Sequence, residues 1–107
     1  MNKQVLIEQR IAAQHRVIAE RLRQDPHRVM AKARHNLSRW SEHYAPHERP
    51  AWMREWGLLL DGSLDEVLTI LLSDSEKARR LRSSSLFAGI LSARERWALL
   101  KRINDET

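Results

Sequence analysis

The placement of its helix breakers constrains this 107-residue chain more than any other feature: glycine occurs only at 57, 62 and 89, and proline only at 26, 46 and 50. Between those positions no run of alternating β-branched residues is long enough for a strand. The expected fold is therefore all-α, a compact bundle of five or six helices opened by a long N-terminal one. From Gln4 to Gln24 the apolar positions Ile7, Ile11, Ile18 and Leu22 form a narrow stripe bordered by Arg10, Arg16, Arg21 and Arg23. Asp25 and Pro26 then end that helix and start another, since a proline ring removes a backbone donor and Asp is a strong N-cap. The second helix, Pro26 to Tyr44, repeats Met30, Ala33, Leu37, Trp40 and Tyr44 at the spacing of a buried face. Pro46 and Pro50 bracket a turn, and a third helix carries Trp52, Trp56 and Leu59 or Leu60 up to Asp61 and Gly62.

Three Ser-x-x-Glu pairs, Ser63 with Glu66, Ser73 with Glu76 and Ser92 with Glu95, match the capping box. They predict short helices over Leu64 to Leu72, Asp74 to Arg82 and Ala93 to Ile103, with Ser83 to Leu91 as a loop. Residues 1–25 thus read as an amphipathic helix and candidate interaction arm, and residues 26–107 as the helical domain. Trp40, Trp56 and Trp97 are expected in the core.

Several chemistries drop out. The chain has no cysteine, which removes zinc–thiolate and thiol sites and suits a reducing cytoplasm. Apolar runs such as Leu58 to Leu60 are far short of the roughly 18 residues of a membrane span, and Met1 to Gln4 opens no apolar export signal. A cytoplasmic protein without a membrane partner is expected. His27, His35 and His43 are spaced so that each step turns about 80° around a helix, and Pro46 separates His43 from His47, so no metal set converges. Ser83, Ser84 and Ser85 lack a nucleophile elbow, there is no glycine-rich phosphate loop, and Asp61, Asp65 and Glu66 serve turns and caps. The expectation is a non-enzyme with no cofactor.

Charge points towards binding. Residues 1–56 hold 11 Lys or Arg against 6 Asp or Glu, whereas residues 57–107 hold 8 of each, so the whole excess of +5 lies in the first half. An acidic partner, nucleic acid or protein, suits that asymmetry, and so does a merely solvated basic surface. Three candidate surfaces emerge. The stripe of Ile7, Ile11, Ile18 and Leu22 suits a groove on another protein, a second copy of the chain, or the Met30–Tyr44 face of its own domain. The basic helix with Lys77, Arg79, Arg80 and Arg82 follows another helix at a spacing similar to helix-turn-helix units, and its arginines suit phosphates. Finally, Leu86 and Phe87 stand beside Arg80 and Arg82 as apolar anchors rimmed by cations; alternatively, Phe87 and Leu91 tuck beneath the last helix.

The runs Leu64-Asp65-Glu66-Val67-Leu68, Ser73-Asp74-Ser75-Glu76, Arg80-Leu81-Arg82-Ser83-Ser84-Ser85, Phe87-Ala88-Gly89-Ile90-Leu91 and Glu95-Arg96-Trp97 resemble small all-helical antitoxin-like proteins of bacterial toxin–antitoxin operons. The resemblance covers about residues 30–103. It implies a non-enzymatic inhibitor that binds a cognate toxin, with a nucleotidyltransferase type as the associated partner, and that also contacts operator DNA. The alternative expectation is a DNA-binding transcriptional regulator acting through residues 74–82.

Overall fold

A computed structural model describes residues 2–106 and shows six α-helices and one 3-10 turn among them: α1 (Lys3–Gln24), α2 (Pro26–Ser41), the turn (Pro46–Glu48), α3 (Ala51–Asp61), α4 (Leu64–Leu72), α5 (Glu76–Arg82) and α6 (Ala93–Glu106). No described helix is long and apolar enough to cross a membrane. Asn2 caps α1 by accepting the Gln4 N–H at 2.8 Å. Asp25 serves two helices, as its sequence context predicts. Its N–H donates to Arg21 O at 2.9 Å to close α1, and its carboxylate accepts from Arg28 N at 3.3 Å to open α2.

Three boundaries differ from the sequence-based expectation; one is the end of α6, which runs to Glu106 where Ile103 is expected. α2 stops at Ser41, three residues early, where the Ser41 hydroxyl donates to Leu37 O at 2.7 Å and the next N–H groups form tighter three-residue bonds. Tyr44 therefore lies outside the helix and is exposed. In α5 the cap is Ser75, which accepts from Ala78 N at 3.1 Å, while Ser73 accepts from Ser75 N. A serine two residues later wins because the Ser73 N–H still completes α4 by bonding Thr69 O at 2.8 Å. The box at Ser92 and Glu95 forms both of its reciprocal bonds, each 3.1 Å.

α1 is the hub. It packs along α4, α2, α5 and α6, while α3 bridges α2 and α4. The core gathers Ile18, Ala19 and Leu22 of α1 with Val29, Met30 and Ala33 of α2, Trp56 and Leu60 of α3, Val67 and Leu71 of α4, and Leu81 of α5. Residues 1–25 are thus no detached arm. The apolar residues of their C-terminal half are enclosed by the rest of the chain, because α4, as well as the expected α2, covers the α1 stripe. Trp40 meets Trp52 edge to face at 6.3 Å, and Trp56 meets Phe87 likewise at 5.6 Å.

Candidate interaction surfaces

The segment between α5 and α6 has no helix to satisfy its carbonyls, and buried backbone groups need partners. Side chains from several helices supply them. Asn36 Nδ2 donates to Leu86 O (2.7 Å) and Ala88 O (3.0 Å), and Arg21 to Ile90 O (2.9 Å), while Trp56 Nε1 bonds Leu81 O (3.2 Å) just before the segment, in the last turn of α5. His15, buried on α1, reaches the same segment 70 residues away. Its Nδ1 faces Ile11 O at 2.7 Å and must donate, so Nε2 accepts from the Ser85 hydroxyl at 2.7 Å, and Ser85 Oγ in turn accepts the Phe87 N–H. Burial pushes the His15 imidazole below its ordinary value, against the opposing pull of its bond to Ile11, and the Arg82 charge lowers it further.

This network corrects the expected contact loop. Leu86 and Phe87 are buried in the chain's own core, with Phe87 against Trp56, so they offer no apolar anchors to a partner. Of the pair expected beneath the last helix, Phe87 packs against the tryptophan of α3, and Leu91 is buried as well. Arg82 is likewise spent internally. It is 5% exposed, and its guanidinium donates to Ile70 O at 2.8 Å and Ser73 O at 2.6 Å, closing the carbonyl end of α4. Burial lowers its pKa from the ordinary arginine value.

The basic helix α5 loses a second cation to the fold. Arg80 binds Glu55 of α3 through two bonds of 3.0 and 2.8 Å, and that pairing holds the Glu55 carboxyl below its usual range. Lys77 and Arg79 remain exposed, flanked by Glu76. Four expected phosphate-binding cations thus reduce to two. The α1 stripe is reduced in the same way: Ile18 and Leu22 are core, Ile11 is half-buried, and only Ile7 is exposed, beside Val5. A seam for a second copy along the whole stripe is lost, since tertiary packing uses its second half.

The side chain that sequence periodicity misplaces is Trp97. It is 65% exposed, not core. α6 runs antiparallel to α1, because Arg21 binds Glu95 near the start of α6 and Arg10 binds Asn104 near its end. The half-buried Leu99, Leu100 and Ile103 lie towards that contact, and no side chain from Ala93 to Asp105 is fully buried. At 100° per residue Trp97 stands about 160° from Leu99 and about 120° from Ile103 but only about 60° from Leu100, so a helical wheel alone does not give its direction and the docking of α6 on α1 decides it. Arg94 and Lys101, one turn to either side, share that outward face, and Lys101 Nζ lies 5.3 Å from the Trp97 ring centre. Glu95, the acid in the first turn of α6, is held by Arg21.

Among the described residues, no three of His, Asp and Glu converge as a metal set. Comparison with known proteins finds no matching family model, no matching curated protein and no matching solved structure.

Proposed function

We propose that this chain is a binding protein that captures an acidic protein partner through the outward face of α6, in the manner that the antitoxin resemblance implies. The observation that carries this is Trp97. A tryptophan left largely in water, on a helix that packs chiefly against α1 and buries no side chain completely, gains most of its hydrophobic stabilisation only when a second surface covers it. Tryptophan and arginine are also the residue types that dominate binding energy at protein interfaces. The charges beside it select the partner: Arg94 and Lys101 lie one turn to either side of Trp97, and the first-turn acid, Glu95, is already paired with Arg21, while Asp105 lies at the far end of the helix. An acidic rim around an apolar pocket is the complementary surface. Neutralising a toxin would then consist of covering its active site with α6, with no chemistry required of this chain.

Co-expression with the product of the adjoining gene tests the reading. The expected result is co-purification, rescue of growth if that product is toxic, and loss of both in Trp97→Ala with the helical circular dichroism retained. A neighbour that is neither toxic nor bound, or a Trp97→Ala chain that still captures it with unchanged affinity, overturns the proposal.

A further inference from the structure

A different surface accounts for the charge asymmetry. α2 carries no Asp or Glu between Pro26 and Ser41, and three of its four Lys and Arg residues share one face, the fourth, Arg34, donating to Leu60 O at 3.2 Å. Arg28, Lys32, His35 and Arg39 follow at i, i+4, i+7 and i+11, which places all four on one stripe about 16 Å long. Each is exposed, and among the described residues Arg28, Lys32 and Arg39 take part in no ion pair. Like charges one turn apart repel and lower helix stability, so this face gains nothing from the isolated fold. A solvated helix face usually mixes signs; the only acids adjoining this one are its caps, Asp25 and Glu42.

Tertiary structure places the first two cations beside an open groove of about 690 Å³ between the α1–α2 corner and residues 89–90, whose far wall is Arg21. Gly89, at φ +88°, lets the chain turn there, and a Cβ on it would approach Lys32 Cε to 3.0 Å. The lysine stem therefore runs close over the glycine.

We infer that the exposed face of α2 binds the phosphate backbone of duplex DNA, with Arg28, Lys32 and Arg39 as the phosphate contacts. The repeated single sign over about 16 Å fits a strand that presents a charge roughly every 3.4 Å. Beside the cations the exposed side chains Ala31 and Ser38 are small, which lets a backbone come close, and the His35 ring stands between Lys32 and Arg39. The stripe has no exposed Trp, Tyr or Phe on which a single-stranded base would stack, its one ring being the His35 imidazole, and it lacks the apolar anchor of a protein interface. This surface also differs from α5, whose Arg80 and Arg82 are engaged within the fold.

The test is fluorescence anisotropy with a labelled 24-base-pair duplex of arbitrary sequence. Three phosphate contacts predict an affinity that falls about 40-fold between 50 and 200 mM salt, a logarithmic slope of about −2.7. Replacing Arg28, Lys32 and Arg39 together by Gln should weaken binding at 50 mM salt at least tenfold and remove most of the slope, with circular dichroism unchanged because all three are exposed. Replacing Lys77 and Arg79 by Gln should leave both quantities unaltered. The inference fails if the intact chain does not bind at 50 mM salt, if the triple variant binds as well as the intact chain, or if the α5 variant loses as much as the α2 variant.

Discussion

His15 and Arg82 show how a polar side chain can be spent on the fold instead of on a partner. The His15 imidazole is buried and neutral, donating through Nδ1 and accepting through Nε2. Its folded pKa lies below 6.5, so as pH falls through about 6.5 the unfolded chain takes up the proton before the folded chain does. Its contribution to stability is thus fully present above that pH and declines beneath it. Urea midpoints measured from pH 7.5 to 5 should fall, and His15→Gln should remove part of that fall; equal slopes in both chains would place the pH dependence elsewhere. Arg82→Met should be destabilising by about 2–3 kcal/mol, since two buried carbonyls lose a charged donor. Arg80→Gln, which breaks only a solvent-screened pair, should melt close to the intact chain. Similar melting of the two variants would contradict the burial of Arg82. In the sequence the two arginines differ by two positions and look alike; only the location of the α4 carbonyls separates them.

Among the elements, α6 and the segment before it reverse the roles that periodicity suggests. Ser83 to Leu91 reads as a loop because it holds three serines and a glycine, yet Leu86, Phe87 and Leu91 are core residues. Side chains of α1 and α2 bond its backbone, and Trp56 of α3 packs against Phe87. α6 reads as an ordinary packed helix and instead leaves its tryptophan in water. Hydrogen exchange should therefore show slower exchange for protected amides in residues 85–91 than for those in the middle of α6, despite the regular hydrogen bonding of the helix. The reverse order would mean that α6 is held more firmly than its contacts indicate. The capping boxes at Ser63 and Ser92 were legible in the sequence because both partners are local. The choice of Ser75 over Ser73 was not, since it depends on how α4 ends.

For the molecule as a whole, α1 sets the shape. Its 22 residues rise about 33 Å, and the longest dimension of the molecule is 43 Å with a radius of gyration of 14.2 Å. Because Ile18, Ala19 and Leu22 lie in the same core as Trp56, Val67 and Leu81, the chain should unfold as one unit. A fragment beginning at Pro26 should lose its cooperative thermal transition. A sharp melt for that fragment, near the temperature of the intact chain, would restore the division at residue 25.

The all-α class, the Asp25–Pro26 junction and the six helix positions were determined by local sequence alone, because breakers, caps and apolar spacing act within a turn or two of the chain. The outward direction of Trp97 does not belong to that set, since local spacing reads it as a core residue and the packing of α6 on α1 leaves it exposed. Tertiary structure decided which apolar and cationic residues remained at the surface. Leu22 and Ile7 share a stripe but differ in burial, because α4 and α2 cover only part of α1; Arg82 and Arg79 share a helix but differ because two carbonyls of α4 lie within reach of one of them. Spacing along one helix states which side chains share a face. Whether that face meets water, the core or a partner depends on residues far away in the chain.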